Sequence, residues 1–325
     1  GMYGTEDVRV DLPDGLLLKE GFLAKGIADA DAMIAVNHFK GHGSGVYGGS
    51  IKNVAIGCSS KRGKLNVHLT THPEIGWDKW SFHGENCIGE ECPDVVVCRN
   101  MCPVGAIRIE KDHMDWDREA CIGCFGHQRP FFRCEVWGKE SYEEWKTWFL
   151  IAMGDASTAY LRHMGEEHVG FLTYAIDITP ACDCAPGADR PVLPNLGVFA
   201  SRDMVAIDVA ALDMADKAPG IPGSMAEEKE VMEPGVEKFT GIVGMSQWVT
   251  ANTCSRLGSG SMDYELVLPP ISDIEADYCF PRLNPERPIG HYLAKGLKKF
   301  GTWIPEGGYK YNKEPSVPFE ELTKR

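Results

Sequence analysis

The chain has 325 residues, with 33 lysines and arginines against 47 aspartates and glutamates, a net charge of -14 and 43% hydrophobic composition. This is enough apolar content to bury a sizeable core in one large or two smaller domains, while the acidity argues against a broad nucleic-acid-binding surface. No apolar run approaches the roughly 20 residues needed to cross a bilayer, and the opening GMYGTEDVRV has no signal-peptide pattern. The expected location is therefore cytoplasmic, with no transmembrane segment.

In chain order, LLLKEGFLAKGIADAD (16–31) reads as helical, and AMIAVNHF (32–39) is a short apolar run that predicts a buried strand. KGHGSGVYGGSIKN follows, a loop of glycines that leads into a helix expected to begin near Ser50. A helix capped by Ser141 places Trp145, Trp148, Phe149, Ala152, Ala156 and Tyr160 at helical spacing. Strands are expected at 171–180, 196–201 and 264–269, and Asp203 is placed to cap a helix over 204–218. Strands alternating with helices predict an α/β fold with a mostly parallel sheet flanked by helices. From about Pro281 onward, Pro, Gly and Lys predominate, which reads as a surface arm.

Seven of the twelve cysteines fall between Cys87 and Cys134, a stretch with too little aliphatic content for a core of its own unless a metal supplies folding energy. In a reducing compartment such clustering favours metal over disulfides. The expected organisation is a discontinuous α/β domain, 1–84 and 136–325, carrying a ferredoxin-like metal-binding insert at 85–135. CRNMCPVGAI (98–107) contains the C-x3-C-P half of a bacterial ferredoxin motif, but Val96 stands where a further cysteine belongs. CIGCFGH puts Cys121 and Cys124 at C-x2-C spacing, with His127 in the third ligand position. Counting ligands assigns Cys87, Cys92, Cys98 and Cys134 to one [4Fe-4S] cluster, and Cys102, Cys121, Cys124 and His127 to a second. A rival arrangement gives Cys134 to the second motif, leaving Cys87, Cys92 and Cys98 around a three-iron or solvent-open cluster. Thiolates at these spacings also satisfy tetrahedral zinc.

Outside the insert, Cys182 and Cys184 form a C-x-C that reads equally as a metal site, a redox pair or an unrelated loop. Asp208, on the helix that Asp203 is placed to cap, reads either as a cap or as a catalytic group. The basic glycine loop, with His38, Lys40, Gly41, His42, Gly48, Gly49 and Lys52, suits a small anionic ligand held by backbone amides and lysines. It matches no Walker or dinucleotide fingerprint.

The succession of HFKGHGSGVYGGSIKNVAIGCSSKRGKLNVH, a cysteine insert with CPVGAI and CIGC, CDCAPGADRPVLPNLGVFASRDMVAID and LGSGSMDYEL resembles the domain-of-unknown-function family 362, over about residues 20 to 268. The resemblance implies an iron-sulfur protein with a ferredoxin-type insert, although the insert's spacings here are irregular; no established reaction comes with it. The reading that follows is a redox protein transferring electrons through one or two [4Fe-4S] clusters to a redox partner protein. The alternatives are an oxidoreductase acting on an anionic substrate at the loop from His38 to Lys52, and a zinc-stabilised binding module.

Overall fold

In the computed structural model of the chain, which describes residues 4–122, 134–184, 187–268 and 307–325, the first elements are β1 (Asp7–Asp11) and β2 (Glu20–Ala24). They pair antiparallel, Asp7 opposite Ala24, and lead into one helical turn, α1 (Lys25–Ala28). The helix expected over 16–31 is thus mostly extended chain. The cause is tertiary: the amides of Leu16, Leu17 and Leu18 all donate to the buried Asp155 carboxylate at 2.9, 2.7 and 2.7 Å. Three consecutive amides bound to one distant carboxylate are not available to a helix.

β3 (Met33–His38) forms where the apolar run predicts it, and the chain continues through β4 (Lys40–His42) and β5 (Val46–Gly48), an antiparallel pair. α2 (Ser50–Lys52) begins at the expected residue and runs on as a π-helical turn, 53–57, before α3 (Lys61–Val67). In the cysteine-rich stretch lie α4 (Val95–Met101) and a small hairpin of β6 (Ile107–Ile109) and β7 (Met114–Trp116). α5 (Lys139–Met164) is the longest helix and is buried on almost every side from Phe149 to Leu161, as expected of a helix crossing a core rather than lying on it. Of the aromatic residues expected in the core, Trp145, Phe149 and Tyr160 are buried there, and Trp148 packs half-buried against it. Trp145 stacks on Phe149 with ring centroids 4.9 Å apart, meets Trp77 and Trp80, and donates its indole N–H to the His68 carbonyl at 2.7 Å. Ser141 does not cap the helix, which starts at Lys139; its hydroxyl instead accepts the Ser81 amide at 3.0 Å.

β8 (Val169–Ala175) lies parallel to β3, and β9 (Gly197–Ser201) lies antiparallel to β8. The fold is α/β as expected, but this three-stranded sheet, in the order β3-β8-β9, is mixed rather than mostly parallel. A parallel return needs a crossover, usually a helix, and the described residues between β8 and β9 contain no helix. Helices cover one face of the sheet; the opposite face exposes Ile34, Val36 and Val198. α6 (Met204–Lys217) is capped by Asp203, whose Oδ1 accepts the amides of Val205 and Ala206, and α7 (Met225–Glu228), α8 (Lys238–Val243) and α9 (Val249–Arg256) complete the body. Residues 264–268 are not a strand; Tyr264 instead donates its hydroxyl to Asp213. Most of the expected arm, including the basic stretch 291–301, lies outside the described residues. No helix among the described residues is long and apolar enough to cross a membrane.

A second, smaller core gathers Cys87, Met114, Val136 and Trp137, with Phe82, Cys98, Ile107, Ile109, Trp116 and Cys134 packed against it. Entry to and exit from this unit are stitched together. Phe82 bridges to Trp137, the His83 amide donates to the Val136 carbonyl at 2.6 Å, and the Gly138 amide donates to the Ser81 carbonyl at 3.1 Å.

Candidate functional site

The end of β3 and the β4–β5 pair face the loop that leaves β8, and this contact assembles the polar centre of the body. Gly41 is required there. A Cβ at this position would stand 2.3 Å from the Pro180 carbonyl oxygen, while the Gly41 amide donates to the Thr179 carbonyl at 2.8 Å. The loop is thereby pressed against β4, and Cys182, Asp183 and Cys184 are presented to the histidines and lysines of the glycine-rich segment.

Asp183 faces one way. Its Oδ2 is 3.0 Å from His38 Nδ1 and 2.9 Å from Lys40 Nζ, while His38 Nε2 meets the Ile176 carbonyl at 2.7 Å. Burial pushes the Asp183 carboxyl up, but the hydrogen bonds from His38 and Lys40 outweigh it and hold the group below the usual carboxylate range. Cys182 and Cys184 face the other way. Lys52 Nζ donates to Cys182 Sγ at 3.7 Å, the Cys184 amide donates to the same sulfur at 3.5 Å, and His42 is within its hydrogen-bonding reach. The hydrogen bond from Cys184 draws the Cys182 thiol well below its ordinary range against the opposing effect of burial, and His42 and Lys52 add to the pull. Cys184 moves in the opposite direction, as one of two neighbouring thiols must when they share a proton. Cys182 is buried and Cys184 exposed.

Among the described residues, His42, Cys182 and Cys184 are the one group of at least three whose donor atoms all lie within 4.8 Å of one another and which could hold a metal ion. The glycine-rich segment and the C-x-C, read separately in the sequence, are therefore two halves of one cluster. Nothing in local spacing signals this, because the halves are 140 residues apart.

The anion-binding expectation fares differently. Lys40, Gly48, Gly49 and Lys52 do line a cavity of about 100 Å³, together with Val36, Asn37, His38 and Asn53. However, the amides of Ser50 and Ile51 at the start of α2 donate to the buried carboxylate of Asp208 at 2.7 and 3.0 Å, so the helix start already holds an internal anion. Lys40 is paired with Asp183, and Lys52 with Cys182. Gly41 and His42 do not line the cavity: Gly41 accommodates Pro180, and His42 turns to the cysteines.

In the cysteine-rich unit, Cys98 is packed with Cys87 and Cys134. Burial, followed by the nearby charges of Cys134, Cys92 and Cys87, pushes its thiol up to about 11. Among the described cysteines, the Cys87 sulfur accepts the Gly89 amide at 3.3 Å and the Cys102 sulfur accepts the Ala106 amide at 3.1 Å. Cys121 is half-buried; Cys124 and His127, also expected as ligands, lie outside the described residues. Cys58 and Cys254 are buried in the main core, Cys254 against Ser157 and the Gly154 carbonyl.

No curated protein and no solved structure matches the chain. The family model described as "Domain of unknown function (DUF362)" matches residues 2–213, a span that takes in β1 to β9, the cysteine-rich unit and every residue of the His42–Cys182 cluster. The chain belongs to the DUF362 family.

Proposed function

We propose that this chain is an iron-sulfur redox protein whose cysteine-rich insert, a ferredoxin-like unit, passes electrons singly between a partner protein and the α/β body, in a cytoplasmic setting that keeps its thiols reduced. The observation that carries the reading is the gathering of Cys87, Cys98 and Cys134 in one small core, with Cys92 near enough to act on the Cys98 thiol electrostatically. Four soft donors wrapped by short loops are what a [4Fe-4S] cluster requires, and amide hydrogen bonds to ligand sulfurs, as at Cys87 and Cys102, are among the features that set a cluster's potential. When bound, the cluster supplies one-electron storage. The residues that would hold it are Cys87, Cys92, Cys98 and Cys134; Cys102, Cys121, Cys124 and His127 would hold a second. The packing of Cys134 with Cys87 and Cys98 favours this division over the one that gives Cys134 to the second motif. The oxidoreductase reading at the glycine loop has less support, because the Ser50 and Ile51 amides at its end and the side chains of Lys40 and Lys52 already have partners.

The test is iron, acid-labile sulfide and zinc analysis of anaerobically purified protein, with Cys98→Ser and His127→Ala beside it. Iron and sulfide in equal amounts, reduced by Cys98→Ser, are expected. Stoichiometric zinc without sulfide would replace this reading with a zinc-stabilised module. Unchanged iron content and spectra in His127→Ala would remove that residue from the ligand set.

A further inference from the structure

The body carries a reactive centre of its own, independent of whether the insert holds iron. We propose that Cys182 and Cys184 form a reversible dithiol–disulfide pair acting on a disulfide substrate, with Cys182 as the attacking thiolate, Lys52 and His42 holding its charge, and Cys184 as the resolving thiol. Three observations carry this. The two sulfurs and a His42 ring nitrogen lie within 4.8 Å of one another. Lys52 directs its ammonium at the Cys182 sulfur from 3.7 Å, and the Cys184 amide adds a second donor at 3.5 Å. The third observation concerns the tautomer of His42. Its Nδ1 accepts two backbone amides, from Gly45 at 2.8 Å and Ser44 at 3.2 Å.

An imidazole nitrogen that accepts amides carries a lone pair, so in the neutral ring the proton sits on Nε2. A metal-ligating histidine does the opposite: it donates its second ring N–H outward and gives the metal the other nitrogen's lone pair. With Nδ1 covered by amides, His42 has no lone pair free for an ion and instead offers Cys182 an N–H donor. Burial keeps the ring neutral, holding its pKa below the ordinary histidine value. The three donor atoms are therefore arranged around a thiolate rather than around an ion. The remaining charges nearby, Lys40 and Asp183, neutralise each other on the far side of the loop.

The chemistry closes without a further reactant. The Cys182 thiolate attacks one sulfur of the substrate disulfide, forming a mixed disulfide and expelling the other substrate sulfur as a thiolate. Cys184, giving up its proton, then attacks the Cys182 sulfur, so that the Cys182–Cys184 bond forms and the second substrate thiolate leaves. The substrate disulfide is reduced by two electrons to two thiols, and the pair is oxidised by two electrons to a disulfide. The sulfurs must close to about 2.05 Å, a movement available to the exposed Cys184 side chain. Lys52, which reaches the attacking sulfur, also lines the neighbouring cavity together with Lys40, Asn37 and Asn53.

The full chain is equilibrated anaerobically in mixtures of oxidised and reduced glutathione, alkylated and cut with trypsin. Because Arg190 precedes Pro191, the fragment 163–202 emerges whole with Cys182 and Cys184 as its only cysteines. The expected result is a single transition in which both thiols become protected together and the fragment loses two hydrogens. Alkylation of Cys182 by iodoacetamide should proceed at a nearly constant rate from about pH 5 to about pH 8, as for a depressed thiol. Lys52→Met and His42→Gln should each move the acid limb of that profile to higher pH, by one unit for every tenfold of thiolate stabilisation that the lost group had supplied. If either variant fails to fold, the wild-type pH profile decides. A Cys182 rate that climbs tenfold per pH unit across that range, a fragment that never forms its disulfide, or a tightly bound metal ion that shields both thiols would each overturn the proposal.

Discussion

Replacing Gly41 by alanine tests how the reactive loop is held. The added methyl carbon would sit 2.3, 2.7 and 2.9 Å from the oxygen, carbonyl carbon and Cα of Pro180, all backbone atoms that cannot swing away. Reaching ordinary contact requires the Pro180 peptide to withdraw by about 1 Å, which stretches the 2.8 Å hydrogen bond from the Gly41 amide to Thr179 and carries Cys182 away from Lys52. Overpacking of this kind costs about 1–3 kcal/mol. Gly43, two residues on, provides the control: nothing stands within 4 Å of a Cβ there, and its φ is not in the left-handed region. Gly43→Ala should fall within about 0.5 kcal/mol of the parent. Urea unfolding measures both variants, and the alkylation rate of Cys182 at mildly acidic pH reports on the site, with a slower rate expected in Gly41→Ala alone. Equal stability and equal thiol reactivity in the two variants would refute the steric account.

Asp155 gives a prediction for pH. Burial pushes its carboxyl up to about 7, against the lowering pull of the Leu18, Leu17 and Leu16 amides. As pH rises from 3.8 toward 7 the unfolded state gives up this proton before the folded state does, so the stabilising contribution is complete at acid pH and declines through that window. The stability difference between the parent and Asp155→Asn should therefore shrink by about 4 kcal/mol over that range, as read by denaturant titrations at several pH values; a difference independent of pH refutes it. Trp145→Ala removes a fully buried ring together with its stack on Phe149 and should cost about 3–5 kcal/mol; a loss under about 1 kcal/mol in the same unfolding assay would show that the aromatic cluster collapses around the gap. Asp203→Ala deprives α6 of its cap and the Ser261 amide of its partner at 2.9 Å. A cost of about 1–2 kcal/mol is expected in thermal unfolding, and no change would mean that water substitutes for the carboxylate.

Where local pattern decides structure, the sequence could be read directly. The apolar runs at β3, β8 and β9 become strands, the helical spacing around Trp145 becomes core, and Asp203 caps the helix it precedes. Where a distant carboxylate intervenes, it could not. Asp155 takes the amides of Leu16 to Leu18, and Asp208 those of Ser50 and Ile51; the two acids thus account for extended chain where a helix is expected and for two amides at the start of α2 that already hold an internal carboxylate. Alternation of strands and helices predicts a parallel sheet, but the described residues between β8 and β9 lack the helix that such a return usually uses. The C-x-C was visible as spacing, yet its partners come from β4 and α2, and only the packing of Gly41 against Pro180 brings them together.

The stitched neck at Phe82–Trp137 has a meaning for descent as well as for structure. Because the chain leaves the body and returns to it at hydrogen-bonded neighbours, lengthening a loop beyond the neck costs only closure entropy, about 0.6 kcal/mol for each doubling. The irregular intervals between Cys87, Cys92 and Cys98 can thus accumulate as insertions without straining the sheet that carries Cys182. The neck thus confines changes of loop length to the smaller unit and leaves the register of the sheet in the body untouched.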